Sequence, residues 1–514
     1  MTLDCSPSSF VTPTLMGAEF TSLQASLVTN YTAQVPRGFR FSQPGLYVEN
    51  LEYCSVIVTY THPGENDYIT VEAWLPTRNY NNRLQSIGGG GWQAGRYIIT
   101  YLGMAGAIAD GYATVTTDAG LGDSFTYEPW ALLSPGNLNQ YSLQNLGHVS
   151  LNDEAIIAKS LIKSFYGQEP EFSYWNGCSQ GGRQGSMLAQ QYPTAYNGII
   201  AAAPAIDWAG LIMSTIWPRL FMHKEQQFPA GCELTELTSL AVSVCDPLDG
   251  VTDGLISEPD ACRRAFDPSK YIGTTFNCST TGQDREISAA AVAVANAVWM
   301  GATHADGRFL WHGFDIGADL ATIAPTNCTI DGHCTAAPLD TIASVSNYWV
   351  TKDINANTTD LTHQDFDTMY RVLKHVFASS LQTNEPDITD FRNAGGKIIT
   401  FHGLNDAAIP PNNSLAYYKQ VMQTVDDTFD FYRYYTVPGL EHCFGGKGGQ
   451  PENLFNQLRQ WVENGTAPVE TAVTVELPDG TNLDEILCPY PLKAKFDASC
   501  NNSTGTTTCW SCVN

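Results

Sequence analysis

Gly177-Cys178-Ser179-Gln180-Gly181 sets a serine between two glycines and directly behind a cysteine. G-x-S-x-G is the pattern of a sharp strand-to-helix turn, where a side chain at either flank would clash and the serine oxygen is presented for attack. The bare pattern is a weak signal, and an inert serine in a glycine-rich turn is the alternative. The flanks strengthen it, because "FSYWN" reads as a strand and "RQGSMLAQQYP" as a helix. A nucleophilic serine needs a base and an acid that orients the base. On such a turn the chain order is Ser, acid, His. Asp406 stands just past the strand-like "KIITFHG", and His442 just past "FDFYRYYTV". Seven other histidines follow Ser179, but only His442 comes after both Asp406 and a further strand. His402, inside the strand before Asp406, is expected to pack or bond locally. Most of the 52 acidic residues must face solvent, so a surface turn is the alternative for Asp406.

An ester carbonyl under attack becomes an oxyanion, which backbone N–H groups stabilise. One donor is expected from Gln180, the residue after the nucleophile, and the other from an earlier glycine-rich loop. "IGGGGW" supplies that loop at Gly88 to Gly91, with Gly90 and Gly91 both open as the donor. A phosphate cradle is the rival reading, but the Lys and Ser/Thr of a P-loop are missing.

Cys178 precedes the serine and Cys443 follows the histidine. If Ser179 and His442 lie within hydrogen-bond reach, their neighbours are close too, and a disulfide needs Cα atoms only ~4.4–6.8 Å apart. A Cys178–Cys443 bridge is therefore expected beneath the catalytic pair. It would close a loop of over 260 residues, for which the chain-entropy argument gives roughly 5 kcal/mol.

The elements that must position these groups alternate. "DYITVEAWLP", "RLQSIGGGGW", "YATVTTDAG" and "YNGIIAAAPA" read as strands, and "LNDEAIIAKSLIKSFYG" as a helix. Such alternation predicts a mostly parallel sheet covered by helices on both faces. After Pro204 the rhythm stops, and it returns at "GGKIITFHGLND", followed by the helical "NNSLAYYKQVMQ" and "PENLFNQLRQWVEN". The expected organisation is α/β core in residues 1–206, an inserted lid subdomain in 207–393, and the rest of the core in 394–514. Aromatics of the insertion, among them Trp208, Trp217, Phe221, Trp299, Trp311, Phe314, Tyr348 and Trp349, are expected mainly in lid core, with some over Ser179.

The chain has 514 residues and a formal charge of −26, which disfavours nucleic acid and anionic membranes as partners. "ISAAAVAVANAVWMGA" is too short and too polar to span a bilayer and suits a buried helix. Fourteen cysteines without metal-type spacing, and eight glycosylation sequons at Asn30, Asn277, Asn327, Asn357, Asn412, Asn464, Asn501 and Asn502, point to an oxidising, secretory route. "MTLDCSPSSF" has no apolar leader, as expected of a mature chain.

The doublet CS…D…HC, with "SYWNGCSQGGRQG", "IIAAAPA" and "GLNDAAIPP", resembles the tannase/feruloyl esterase family of secreted α/β-hydrolases over most of the chain. The resemblance implies an α/β-hydrolase core with a large inserted lid. It also implies hydrolysis of hydroxycinnamate esters, on small phenolic esters or feruloylated oligosaccharides, with gallate esters as the alternative. In "TTDAG", near Asp118, the family usually has a histidine after the last glycine, where Leu121 stands here. "CDPLDGVTDGLISEPDAC" is an oxygen-rich acidic loop with tight glycines, unlike an EF-hand in spacing. The resemblance implies a structural Ca²⁺ there, held by Asp246, Asp249 and Asp253 with the carbonyls of Val251 and Leu255, and a Cys245–Cys262 disulfide. It also implies a Cys5–Cys54 bridge, and no organic cofactor. Reading the chain instead as a non-catalytic binding protein would fit better had a member of the triad been lost.

Overall fold

The computed structural model describes residues 4–122, 126–278, 281–329, 332–338, 346–356, 361–477, 479–497, 499 and 507–514. A nine-stranded sheet runs through it: β1 (Glu19–Val35), β2 (Leu46–Thr61), β3 (Ile69–Pro76), β4 (Arg83–Ile87), β5 (Ala113–Thr117), β6 (Phe172–Cys178), β7 (Gly198–Ala202), β8 (Lys397–Gly403) and β9 (Tyr432–Val437). The spatial order is β1-β2-β3-β5-β4-β6-β7-β8-β9. The pairings from β5 through β4 and β6 to β9 are parallel, and those joining β1, β2, β3 and β5 are antiparallel. Parallel strands are apolar on both faces because helices cover both. Accordingly β7 is buried along its whole length, as is β5. One covering helix, Ser150–Tyr166, places Leu151, Ala155, Ala158, Leu161, Ile162 and Phe165 on its buried side and stops at Gly167, whose φ of +83° ends the helix in the left-handed region.

The long antiparallel β1 has no strong sequence signature. Most of its residues are exposed or half-buried, so the apolar alternation that marks a half-buried strand is weak.

The sheet breaks off at Ala202 and resumes at Lys397. Between them lie the helices Trp208–Glu225, Gly231–Cys245, Ala289–Met300 and His363–Phe377. These helices form two apolar clusters apart from the sheet. One gathers Trp208, Trp217, Trp349, Phe366 and Phe377, and the other Leu234, Ala295, Val298, Trp299 and Phe314. The first also takes Trp92, Tyr127, Trp130 and Leu146 from before the insertion. At its far end, Ile388 and Phe391 already pack under the sheet beside Ile398 and Val421. The C-terminus folds as two hairpins, Thr471–Glu476 with Asn482–Leu487 and Lys493–Phe496 with Trp510–Val513.

Disulfides join Cys5–Cys54, Cys178–Cys443, Cys232–Cys278, Cys245–Cys262, Cys328–Cys334 and Cys488–Cys512. Cys500 and the sequons at Asn357, Asn501 and Asn502 lie outside the described residues. Asn30, Asn277, Asn327 and Asn464 are exposed, whereas Asn412 is half-buried and its side-chain amide donates to Asp315 Oδ1 at 3.3 Å. Among the described residues no helix is long and apolar enough to cross a membrane.

Candidate active site

Ser179 sits between the end of β6 and the helix Gln180–Gln191, at φ +62° and ψ −121°. A non-glycine residue at positive φ is strained and persists only where its surroundings over-determine it. They do so here by close approach. A Cβ on Gly177 would lie 2.5 Å from the carbonyl group of Gly181, and one on Gly181 would lie 2.9 Å from Gly89 O. The Ser179 N–H donates to Ala202 O at 3.0 Å, and its carbonyl accepts from Arg183 N at 2.9 Å.

Asp406 and His442 lie in the loops just beyond β8 and β9, at the same carboxyl edge of the sheet. That edge is where the crevices of open α/β sheets form. His442 Nδ1 donates to Asp406 Oδ2 at 2.7 Å, leaving Nε2 as the bare base. Asp406 is fully buried, and its Oδ1 accepts from the N–H groups of Ala408 and Ile409, each at 2.8 Å. Burial pushes its carboxyl up, but His442 and His402 outweigh that and hold it well below the usual carboxylate range. Burial likewise pulls the His442 imidazole down, and Asp406 more than offsets this, so it stands above its ordinary value. Its side chain keeps 29% exposure, which leaves the ring reachable from solvent.

Cys178–Cys443, with a Cα–Cα distance of 5.9 Å, ties the residue before Ser179 to the residue after His442. Cys443 is itself at φ +66°. A covalent link between these two loops limits how far Ser179 and His442 can move apart.

In the glycine-rich loop, the N–H of Gly88 donates to Asn176 O, that of Gly89 to Gln184 Oε1 at 2.8 Å, and that of Gly90 to Gln93 O at 3.1 Å. Gly90 is therefore committed to a local bridge. The N–H of Gly91, at φ +57°, has no acceptor among the described residues. Gln180 opens its helix, so its N–H has no intrahelical acceptor either. Gln184, one turn further on, also donates to Ala94 O and so holds both ends of the loop.

Sequence reasoning understated His402. Its Nε2 faces two acceptors, Asp406 Oδ2 at 3.0 Å and Ile409 O at 3.1 Å, so it carries the proton there, while Nδ1 accepts from the Ser414 hydroxyl at 2.9 Å. The ring thus locks the Asp406 carboxylate toward His442. Asp118 accepts from Thr70 N, Gly120 N and Arg96, a local brace, with Leu121 buried in the apolar cluster around Trp208 and Trp349.

The acidic loop wraps on itself. Asp246 accepts from the N–H groups of Asp253 and Gly254 at 3.0 Å, Asp249 from Val251 at 2.9 Å, and Asp253 from Leu255 at 2.8 Å. Cys245–Cys262 closes it. The C-terminal hairpin adds a carboxylate that the sequence reading missed. Glu485 is only 7% exposed, hydrogen-bonds Asp253, and keeps Oε1 without a partner among the described residues. Burial, then Asp253, pushes its carboxyl up to about 9, and burial raises Asp253 to about 6. Asp246, Asp249 and Asp253 supply hard oxygen donors of the kind a Ca²⁺-type cation takes, while Glu485 is held as a neutral acid on Asp253.

A strained serine at a strand–helix elbow of a mostly parallel sheet, with an acid–histidine pair beyond two later strands, defines an α/β-hydrolase. Residues 54–509 match the family described as tannase and feruloyl esterase, and the chain belongs to that family of carboxylic ester hydrolases. A probable feruloyl esterase of Arthroderma benhamiae is 33% identical over 469 residues, covering 89% of this chain and 86% of that protein. A tannase of Aspergillus oryzae is 29% identical, covering 86% and 82%. The solved tannin acyl hydrolase from Aspergillus niger superposes with a TM-score of 0.86 at 27% identity, covering 99% of this chain and 95% of its own.

Proposed function

We propose that the protein is a secreted serine esterase that hydrolyses hydroxycinnamate esters of plant cell-wall polysaccharide. The observation that carries the catalytic part is the Asp406–His442 hydrogen bond, bolted to Ser179 by Cys178–Cys443. Ser179 Oγ attacks the ester carbonyl while its proton passes to His442 Nε2. The oxyanion accepts from the N–H groups of Gln180 and Gly91. As the intermediate collapses, the C–O bond to the alcohol breaks and His442 returns the proton to that oxygen. Water then repeats the sequence on the acyl-enzyme, with His442 as base, and frees the carboxylic acid.

Secretion is supported by the disulfides and the exposed sequons. Substrate is supported by the feruloyl esterase relative at 33% identity. The aromatic content of the lid supports it less than sequence composition implies, because Trp208, Trp217, Trp299 and Trp349 build the lid's own core at 0–7% exposure. Gallate esters are the second reading, favoured by the TM-score of 0.86 to a tannin acyl hydrolase. A site that hydrogen-bonds three ring hydroxyls rejects a ring that lacks them, since unpaired buried polar groups cost ~1–3 kcal/mol each. The expected result is a higher kcat/KM for methyl ferulate or caffeate than for methyl gallate, measured side by side. A clear preference for gallate moves the substrate assignment and leaves the triad in place.

A structural Ca²⁺ in the acidic loop completes the reading. Asp246, Asp249 and Asp253 would hold it with the carbonyls of Val251 and Leu255, and would repel one another without it. Chelation is expected to lower the melting temperature by several degrees, with calcium restoring it. An unchanged melting curve together with no metal by elemental analysis would remove the ion from this account.

A further inference from the structure

Arg183 is the fourth residue after the nucleophile, and its side chain is completely buried. A charged group taken out of water is normally matched by an opposite charge. Arg183 is not. Its Nε donates to Gln180 Oε1 at 2.7 Å, one terminal nitrogen to Gly147 O at 2.8 Å and Thr383 Oγ1 at 3.3 Å, and the other to Leu146 O at 3.0 Å. All four acceptors are neutral, and no carboxylate pairs with it among the described residues. Burial draws its pKa down to about 9, which still leaves it charged at neutral pH.

The arrangement has a second cost. Gln180 turns its amide oxygen to the guanidinium and keeps Nε2 buried without a partner. An uncompensated charge and an unsatisfied amide both work against stability, so the pair calls for a functional reason. Geometry supplies one. Long side chains on a helix lean toward its N-terminus, and the bond from Arg183 to Gln180 shows this one doing so. The guanidinium therefore lies over the first turn, the end that already carries the positive pole of the helix dipole. Gln180 is also the residue whose backbone N–H faces the oxyanion in the esterase reading. On its other side Arg183 grips the carbonyls of a π-helical turn, Asn145–Val149, and Thr383 at the far end of the insertion. π-turns of this kind are frequent at functional sites.

We propose that Arg183 is a positioning residue of the catalytic site, which holds Gln180 in place and supplies an unpaired positive charge behind the oxyanion hole. In the ground state the ester is neutral and gains little from that charge. In the tetrahedral intermediate the carbonyl oxygen is anionic and gains fully, so the charge acts on kcat more than on KM. The proposal rests on the esterase reading with Ser179 as nucleophile.

The test compares Arg183→Met, which keeps bulk and loses charge, with Arg183→Lys, which keeps charge and loses most of the hydrogen bonds. Folding is checked by circular dichroism, and Arg183→Gln replaces the methionine variant should that one fail to fold. Initial rates on methyl ferulate are read beside affinities for two probes. One is trans-2-phenylvinylboronic acid, which becomes a tetrahedral anion on the serine; the other is neutral cinnamamide. The neutral variant is expected to lose 10- to 100-fold in kcat with KM within threefold, and to lose boronate affinity by a similar factor while cinnamamide affinity stays within threefold. Arg183→Lys is expected to retain more of both kcat and boronate affinity. A neutral variant with wild-type kcat overturns the proposal, as does one that loses boronate and cinnamamide affinity equally, since that marks a purely structural role. Hydrolysis that survives Ser179→Ala overturns the esterase reading and this proposal together.

Discussion

Ser179→Ala is expected to leave a folded protein whose ester hydrolysis falls by roughly 10⁵–10⁶-fold in kcat, the scale found when a triad serine is removed. The substitution deletes one oxygen at a half-exposed position. Alanine meets the same strain as serine at φ +62°, so the folded state changes little. What disappears is the only group there that can form the acyl-enzyme bond. The oxyanion donors and the lid remain, so substrate should still bind. The measurement is kcat on methyl ferulate beside a thermal melt of both proteins. Activity within tenfold of wild type on any activated ester would strip Ser179 of its role and revive the binding-protein reading.

Asp406→Asn is expected to cost roughly 10⁴-fold in kcat, because the amide inverts the hydrogen-bond logic around His442. The carboxylate now accepts from His442 Nδ1, from His402 Nε2 and from the N–H groups of Ala408 and Ile409. An asparagine oxygen can still serve the two backbone donors. Its NH₂ then faces both imidazoles, where two donors meet at His402 and where His442 must turn Nδ1 into an acceptor. That places the His442 proton on Nε2, the atom that has to receive it from Ser179. The imidazolium also loses its buried counter-charge. Since four hydrogen bonds converge on this carboxylate, the melting temperature should fall by a few degrees as well. A kcat within tenfold of wild type would show that Asp406 is not the orienting acid.

The nucleophile and its partners could be read from the chain because each announces itself locally. The elbow admits only glycine at Gly177, where Gly181 four residues on imposes the demand, and at Gly181, where Gly88 and Gly89 of the earlier loop impose it. A strand that ends just before Asp406, and a later one that ends before His442, are visible as short apolar runs. Even the pairing of Cys178 with Cys443 follows once two neighbours must touch. In contrast, β1 was hard to see because an edge strand with mostly solvated residues has little apolar alternation to show.

Other contacts depended on which faces meet. Gly90 and Gly91 are equivalent in sequence, and only the bridge to Gln93 takes one N–H out of use. His402 reads as a strand residue, but the pleat and the following loop turn its ring onto Asp406. Nothing in the local sequence marks Arg183, and the packing of the insertion against the nucleophile helix seals it from water. Glu485 reaches Asp253 only because the C-terminal hairpin folds back onto the acidic loop. By itself the sequence determined what short-range sterics and hydrophobic periodicity can encode: the elbow, the strand ends and the order of the triad. The tertiary structure decided the rest, because the partner of a buried polar group is chosen by how a loop turns, as at Gly90 and His402, or by which distant segments pack together, as at Arg183 and Glu485, and no local pattern carries that information.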